Sequence, residues 1–153
     1  MAIYGRLLGV ALLVGGCSTT SHASCALVGD SIAHAAAVFA PHCARATWPG
    51  LNSARWIERF GAVSIEADQV VISMGTNEHQ SPALQGLLVL RSRIRATRVM
   101  WIAPGPQYPS RNSVFLVAGQ YGDIVYERPL EDLAKDGIHF NKNGSRRIAM
   151  LLQ

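Results

Sequence analysis

The segment that decides the fold is QVVISM, residues 69–74. It is a short run dominated by apolar residues, which is typical of a strand buried on both faces of a parallel sheet. A helical pattern follows over residues 81–96, where Ser81 is expected to cap the helix and Pro82 to occupy its first turn. A buried strand followed by a helix is the repeating unit of an α/β protein.

The same unit recurs on both sides of this segment. Further strands are predicted at residues 25–28, 43–48, 98–103 and 123–126, and further helices at residues 31–40, 53–60, 113–119 and 143–152. Ser53 is expected to cap the helix that begins there. Strands that alternate with helices at this spacing favour a parallel sheet covered on both faces. We therefore predict one three-layer α/β/α sandwich with a five-stranded parallel sheet.

Composition and charge argue against several classes of function. Hydrophobic residues make up 49% of the 153 residues and charged residues 16%, so the chain can bury one sizeable core. The net charge of +4 is spread along the chain, except for a group on one predicted helix and its exit, Arg91, Arg93, Arg95 and Arg98. We interpret this group as a solvated helix face, with phospholipid headgroups as the alternative, and predict no nucleic-acid partner. Neither metal-ligand spacing nor a glycine-rich phosphate loop is present, so no metal or cofactor is predicted.

The first residues have the pattern of an export signal rather than of a folded domain. Residues 1–16 carry one positive charge, at Arg6, followed by an apolar run over residues 7–14 that is too short to span a bilayer. Residues 14–17, VGGC, resemble the lipobox of bacterial lipoproteins, in which the cysteine is acylated and becomes the new N-terminus. The pattern therefore predicts lipidation at Cys17.

This interpretation divides the chain into a signal, a short tether over residues 17–24 and a domain over residues 25–153. The alternative is ordinary secretory cleavage after Ala23, which fits the small-x-small rule and would discard Cys17. Both alternatives predict an exported protein, located in the periplasm or cell envelope in the first and secreted in the second. In the first, a lipid at Cys17 anchors the protein to a membrane.

Two further cysteines, Cys25 and Cys43, remain in the predicted domain. In an oxidising compartment they are expected to form a disulfide that links the start of the first strand to the start of the second. Two buried free thiols are the alternative, because the sequence does not fix the distance between them.

Ligands of such sheets bind beyond the carboxyl ends of the strands, so the residues that directly follow each strand are candidates for the site. They include a nucleophile, a base, an acid to orient the base, and amide donors. The segments concerned are residues 29–31 (GDS), 49–52 (PGLN), 75–78 (GTNE), 104–109 and 136–139 (DGIH).

Each candidate also has an ordinary structural explanation. Ser31 lies at a predicted helix start, where serine is a common cap. His139 follows Asp136 by three residues, a spacing that lets the carboxylate accept a hydrogen bond from one ring nitrogen, but a surface loop also contains histidines. Asn77, Gly50 and Gly75 are residue types that favour turns.

Taken together, these segments resemble the SGNH, or GDSL-type, serine hydrolases. GDS at residues 29–31 matches the first block of that family, Gly50 falls at its second, GTN at residues 75–77 matches its third, and DGIH at residues 136–139 matches its fifth. The blocks occur in the family's order and cover residues 25–153. The resemblance implies a flavodoxin-like SGNH hydrolase fold.

There are two departures from the family pattern, and neither removes a catalytic group. Glu78 stands where many members have aspartate, and Phe140 stands where proline is common. The second block is the loosest match, so Gly50 is the assignment with the weakest support. The chain lacks Gly-x-Ser-x-Gly, which argues against the α/β-hydrolases with a nucleophile elbow.

The resemblance implies a role for each residue. Ser31 is the nucleophile, His139 takes its proton, and Asp136 orients the imidazole. The backbone N–H groups of Ser31 and Gly50 and the side-chain amide of Asn77 form the oxyanion hole. An acyl-serine forms and is hydrolysed without metal or cofactor.

The substrate prediction rests on the short loops between predicted elements, which leave little material for a lid. We predict a monomeric esterase that acts on short acyl groups, acetyl above all, of small molecules or envelope glycans. Trp48, Trp101 and Tyr108 are candidates for stacking on a sugar, whereas His34 and His79 receive no catalytic role. The alternatives are an O-acyltransferase that uses the same acyl-serine, and a catalytically silent glycan-binding lipoprotein.

Overall fold

The computed structural model describes residues 22–79 and 83–153. The predicted export signal, the Cys17 lipidation site and the Ser81 cap lie outside the described residues. The first strand begins at Ala23, two residues before the predicted start of the domain.

Five parallel strands form one sheet in the order β2-β1-β3-β4-β5. Their bounds are β1 Ala23–Gly29, β2 Ala44–Thr47, β3 Ile65–Ser73, β4 Ile94–Ile102 and β5 Ile124–Tyr126. This is the flavodoxin-like strand order, in which the chain reverses its direction of progress across the sheet after β2. The predicted fold class is confirmed.

Within the described part of the chain, five α-helices cover the two faces of the sheet, and a short 3-10 helix spans Leu130–Asp132. Their bounds are α1 Ser31–Ala37, α2 Ser53–Phe60, α3 Ala83–Ser92, α4 Ser110–Tyr121 and α5 Lys142–Met150. Helices α1 and α5 pack together on one face, and α2, α3 and α4 lie side by side on the other. Within residues 22–79 and 83–153, no helix has the length and apolar character needed to cross a bilayer.

The central strand shows why the sequence gives this fold. Val70 and Ile72 face the core formed with α2, α3 and α4, while Val71 faces the core formed with α1 and α5. Each of these three residues is at most 1% exposed to solvent. Because successive side chains of a strand point to opposite faces, a continuous apolar run is required only where both faces are covered.

The element boundaries that differ most from the sequence prediction belong to α3, β3 and β4. The third helix ends at Ser92 instead of residue 96, and β4 begins at Ile94. The reason is long-range pairing, since Ile94 pairs with Ile65 and Ala96 with Ala67, which also extends β3 to an earlier start than residue 69. Ladder hydrogen bonds to a neighbouring strand outweigh the weak local preference for helix.

The capping of α2 also differs from the prediction. Asn52, and not Ser53, is the N-cap, and its side chain accepts a hydrogen bond from the backbone N–H of Arg55 at 2.9 Å. Ser53 is buried, and its backbone N–H donates to the Glu78 carboxylate. The acid at position 78 therefore ties the start of α2 to the loop after β3.

The arginine group is not a uniform solvated face. Arg91 is buried and donates twice to the Asp123 carboxylate, from Nε at 2.6 Å and from Nη2 at 2.8 Å. The indole N–H of Trp101 donates to the same carboxylate at 2.9 Å. The prediction of a solvated helix face was therefore wrong for Arg91. Its charge is paired with Asp123 inside the molecule, and these contacts join α3 to β4 and β5.

A disulfide joins Cys25 in β1 to Cys43, the residue directly before β2, and both cysteines are buried. It closes a loop with a sequence separation of 18 residues. In the chain-entropy model, closing a loop of this size stabilises the folded protein by about 3 kcal/mol.

Replacing both Cys25 and Cys43 by alanine is therefore expected to lower the free energy of unfolding by about 3 kcal/mol, measured by urea denaturation. Adding a reductant should lower the stability of the wild type by a similar amount and leave the double variant unchanged. Equal stability of the wild type and the double variant under oxidising conditions would show that the bridge contributes nothing.

Candidate active site

The turn after β1 places Ser31 at the start of α1. Gly29 has a φ of 128°, and a Cβ at this position would collide with the carbonyl oxygen of Ser73 on the neighbouring strand. Only glycine fits so close an approach between the two backbones. Asp30 follows as the N-cap of α1, so Ser31 becomes the first helical residue, with no intrahelical acceptor for its backbone N–H.

Asp30 is fully buried under this turn. Its Oδ1 accepts hydrogen bonds from the backbone N–H of Ile32 at 3.0 Å and from the Ser73 hydroxyl at 2.8 Å. No described residue pairs with its Oδ2. Burial raises the pKa of Asp30 to about 6, against the smaller lowering effect of these hydrogen bonds.

This shift makes stability depend on pH in a defined direction. The carboxyl holds its proton more tightly in the folded state, so folding is favoured below about pH 4 and loses this contribution as the pH rises to about 6. A tenfold change in proton affinity is worth roughly 1.4 kcal/mol, which gives a loss of about 3 kcal/mol. Asp30→Asn retains an Oδ1 acceptor and should remove this loss when unfolding is measured at pH 4 and pH 7.

The exposed carboxylate of Glu58 provides the control, because Glu58→Gln should leave the pH dependence as in the wild type. If Asp30→Asn changes the free energy of unfolding by the same amount at both pH values, the proton affinity of Asp30 is not what drives the pH dependence.

Three predicted residues form one continuous hydrogen-bonded relay. The Ser31 hydroxyl lies 3.0 Å from Nε2 of His139, and Nδ1 of His139 lies 2.8 Å from Oδ2 of Asp136. Both distances are within the reach needed for proton transfer. Ser31 and His139 are 108 residues apart in the chain, so this contact depends on the whole fold.

The relay has a defined polarity because Asp136 stays ionised. Its hydrogen bond with the His139 ring, and then those from the backbone N–H groups of Ile138 and His139, lower the pKa of Asp136 to about 2. An ionised carboxylate can only accept, so Nδ1 of neutral His139 carries the proton. Nε2 is then left as the acceptor for the Ser31 hydroxyl.

The loop that carries these two residues, here named the His139 loop (residues 133–140), is held by its own ends. Leu133 and Phe140 form an antiparallel bridge, and the backbone N–H of Ala134 donates to the carbonyl of His139 at 2.8 Å. Phe140 is buried in the core with α1 and α5. The aromatic ring at position 140 thus anchors the loop to the core.

Two of the predicted oxyanion donors, Asn77 and Gly50, lie in loops that contact each other after β3 and β2. The Asn77 side-chain amide donates to the carbonyl of Leu51 at 3.0 Å, which ties it to the loop containing Gly50. Gly50 has a φ of 74°, and its N–H donates to no acceptor among the described residues. The second amide hydrogen of Asn77 and the N–H of Gly50 remain as donors.

Asn77→Ala is expected to lower kcat for an ester substrate by about 10²–10³-fold while KM changes little, because the lost donor acts on charge that develops only in the transition state. Steady-state kinetics measure this effect. The exposed Asn143 is the matched control, since Asn143→Ala should leave both constants unchanged. A kcat for Asn77→Ala within twofold of the wild type would remove Asn77 from the oxyanion hole.

The predicted sugar-stacking residues have three different environments. Trp101 is fully buried and cannot contact a ligand, so that prediction was wrong. Trp48 is 49% exposed, with the Arg59 guanidinium 3.9 Å from its ring centroid, and Tyr108 is partly buried. His34 lies 3.2 Å from the Thr47 hydroxyl through Nδ1, a local contact that fits the absence of a predicted role.

Sequence reasoning missed Arg128. Its Nη1 donates to the carbonyl of Ile138 at 2.7 Å, next to His139. Arg128 follows the short edge strand β5, where no recognised motif marked it. The only available signal was its place directly after a strand.

The described residues contain one grouping of candidate metal ligands, Cys25, His42 and Cys43. Because its two sulfur atoms are bonded to each other, this grouping offers no thiolate to a metal.

No family model and no curated protein matches the chain. Two solved structures from Streptococcus pneumoniae are similar in fold. One, provisionally described as a platelet activating factor, is 14% identical with a TM-score of 0.58, over 89% of this chain and 85% of its own. The other, the C-terminal catalytic domain of peptidoglycan O-acetyltransferase A with a methylsulfonyl adduct, is 15% identical with a TM-score of 0.54, over 84% of this chain and 89% of its own. The chain thus has an SGNH-like three-layer α/β/α fold, shared with the catalytic domain of an O-acetyltransferase.

Proposed function

We propose that the chain is an SGNH-type serine esterase that hydrolyses short-chain acyl esters, acetyl esters above all, through an acyl-serine. The observation that carries this proposal is the relay from Ser31 through His139 to Asp136 at the carboxyl end of the sheet. A domain that only binds a glycan has no need of a serine hydroxyl hydrogen-bonded to a histidine that is itself oriented by an ionised carboxylate.

The reaction follows from the polarity of the relay. As Ser31 Oγ bonds to the ester carbonyl carbon, its proton passes to Nε2 of His139, and Asp136 stabilises the resulting imidazolium. The tetrahedral intermediate then collapses, and the C–O bond to the alcohol breaks as His139 returns the proton to the leaving oxygen. Water repeats the sequence on the acyl-serine and releases the acid.

The oxyanion of both intermediates is assigned to three donors, the N–H groups of Ser31 and Gly50 and the side chain of Asn77. The hydrogen bond from Asn77 to Leu51 fixes the amide before substrate arrives. Such preorganisation matters because donors that need no rearrangement stabilise the developing charge most strongly.

Short acyl groups are favoured by the openness of the site. The side chains of His139 and Asp136 are 45% and 48% exposed, so an acyl group beside them stays near solvent. A long chain would gain little from burial there, whereas hydrophobic burial is what favours long acyl chains elsewhere.

A series of 4-nitrophenyl esters from acetyl to decanoyl tests this substrate class. We expect kcat/KM to be highest for the shortest chains and absent from Ser31→Ala. A kcat/KM that rises steadily with chain length would overturn the preference for acetyl groups, and an inert wild type would overturn the esterase itself.

Acetyl transfer is the second candidate, favoured by the similarity in fold to an O-acetyltransferase domain. The two functions differ only in whether water or a sugar hydroxyl attacks the acyl-serine. Product analysis with a chitooligosaccharide acceptor separates them. For an esterase we expect acetate as the main product at every acceptor concentration, whereas acetylated sugar that rises at the expense of acetate identifies a transferase.

We also propose that the protein is exported and anchored through a lipid on Cys17. The Cys25–Cys43 disulfide supports an oxidising compartment. In cells that process lipoproteins, the wild type should partition with membranes and Cys17→Ser should not. Equal partitioning of both proteins would favour cleavage after Ala23.

A further inference from the structure

A cavity of about 260 Å³ lies beside the proposed active site, outside the residues of the relay and the oxyanion hole. Its walls include residues 104–107 after β4, Arg111 of α4, Glu127, Arg128 and Leu130 after β5, and Leu133 and Gly137 of the His139 loop. The cavity therefore opens at the carboxyl end of the sheet, next to the loop that carries His139.

Arg128 is the residue of this cavity that indicates a ligand. It is partly buried, and its single hydrogen bond to a described residue runs from Nη1 to the carbonyl of Ile138. Its Nε and Nη2 donate to no acceptor, and no carboxylate lies within ion-pair distance of it, among residues 22–79 and 83–153. Burial lowers the pKa of Arg128, and the smaller effects of Tyr108, Asp30 and Glu127 oppose this shift.

The other charges in the cavity balance each other. Arg111 donates to the Glu127 carboxylate through Nη2 and to the carbonyl of Pro104 through Nη1 at 2.7 Å. These two contacts fix its guanidinium and neutralise it. The net charge that faces the cavity is thus the charge of Arg128, whose free N–H groups suit the two oxygens of a carboxylate or phosphate.

The strand order shows where the cavity lies relative to the proposed catalytic residues. Ser31 follows β1, the second strand of the sheet. On one side of β1 lies β2, which Gly50 follows. On the other side, past β3, the cavity lies at the ends of β4 and β5. The His139 loop borders the cavity, and His139 is the group that protonates the leaving alcohol. An ester held at Ser31 with its alcohol part near His139 would have that part next to the cavity.

We infer that this cavity binds an anionic group, a carboxylate or phosphate, carried by the alcohol part of the ester, with Arg128 as the specificity residue. This inference rests on the proposed esterase function and deepens it. It assigns the substrate to esters of acidic alcohols, such as sugars that carry a carboxylate.

The test compares two acetyl esters that differ in charge, 4-acetoxybenzoate and the neutral 4-acetoxybenzamide. The readout is the ratio of their kcat/KM values, because any general damage to the His139 loop lowers both constants and cancels. We expect Arg128→Gln to lower this ratio about tenfold relative to the wild type, the effect of losing one charge-assisted hydrogen bond in a partly buried site. Arg98→Gln, at an exposed arginine in the middle of β4 that does not line the cavity, should leave it unchanged.

If the ratio is unchanged in Arg128→Gln, the inference is overturned. The proposed esterase function survives that result as long as the neutral ester is hydrolysed. If the wild type hydrolyses neither ester, the proposed function fails and the inference fails with it. A charge preference found instead with mono(4-nitrophenyl) succinate, and lost in Arg128→Gln, would overturn the assignment to the alcohol side and move the anion to the acyl side.

A second variant covers the case in which Arg128→Gln does not fold. Glu127 is exposed and pairs only with Arg111 among the described residues, so Glu127→Gln frees a second guanidinium without touching Arg128. We expect this variant to raise the preference for 4-acetoxybenzoate about threefold. A lowered or unchanged preference would contradict a cation-lined subsite.

Discussion

Ser31→Ala is expected to lower kcat for 4-nitrophenyl acetate by about 10⁴–10⁶-fold, with the fold intact. The hydroxyl is the group that forms the acyl-enzyme, so its loss leaves only the oxyanion donors and substrate binding. The remaining activity should be a slow, direct attack by water.

The stability of this variant should change little, because among the described residues the Ser31 hydroxyl hydrogen-bonds only to His139, while Asp30 provides the helix cap. Thermal unfolding of the wild type and Ser31→Ala checks this. Ser64→Ala, at an exposed serine before β3, is the matched control and should retain full activity. Turnover by Ser31→Ala within tenfold of the wild type would mean that another group is the nucleophile.

The second large effect is expected at the other members of the relay. His139→Ala should cost about as much as Ser31→Ala, and the double variant should be no worse than either, because the two residues act as one unit. Asp136→Asn should lower kcat by about 10⁴-fold. Its side-chain amide can donate to Nδ1 of His139, which would reverse the tautomer and leave Nε2 unable to accept the Ser31 proton.

The chain offers a matched control for this substitution. Asp68 and His22 form another exposed carboxylate–imidazole contact, at 2.8 Å, far from Ser31. Asp68→Asn should leave kcat unchanged. If Asp136→Asn retains a tenth or more of the wild-type kcat, Asp136 does not orient the imidazole and His139 acts alone.

Much of the fold could be predicted because its central strand is decisive. Residues 69–74 are apolar on both faces, and only a sheet covered on both sides buries such a strand. The first half of β3, from Ile65 to Asp68, instead alternates apolar and polar residues, a strand signal that the predicted start at residue 69 left unused. Pairing with β4 then fixes this half of the strand in the sheet.

The candidate site was predicted as a set of residues but not as a geometry. Turn chemistry marked Gly29 and the start of α1, whereas the 3.0 Å contact between Ser31 and His139 depends on the packing of distant elements. The sequence also could not predict that Arg91 is buried, or that Arg128 has no carboxylate partner among the residues that the structure describes. Both features depend on whether the fold brings a carboxylate near the guanidinium, as it brings Asp123 near Arg91.

The most direct test of the account is covalent labelling of the nucleophile. After incubation with phenylmethanesulfonyl fluoride, intact-mass and peptide analysis should show one sulfonyl group, attached to Ser31 and formed in parallel with loss of esterase activity. The adduct should be absent from Ser31→Ala and slow to form in His139→Ala. Inactivation with the label on a different residue, or a wild type that stays unlabelled while it hydrolyses esters, would contradict the assignment of Ser31 as the activated nucleophile.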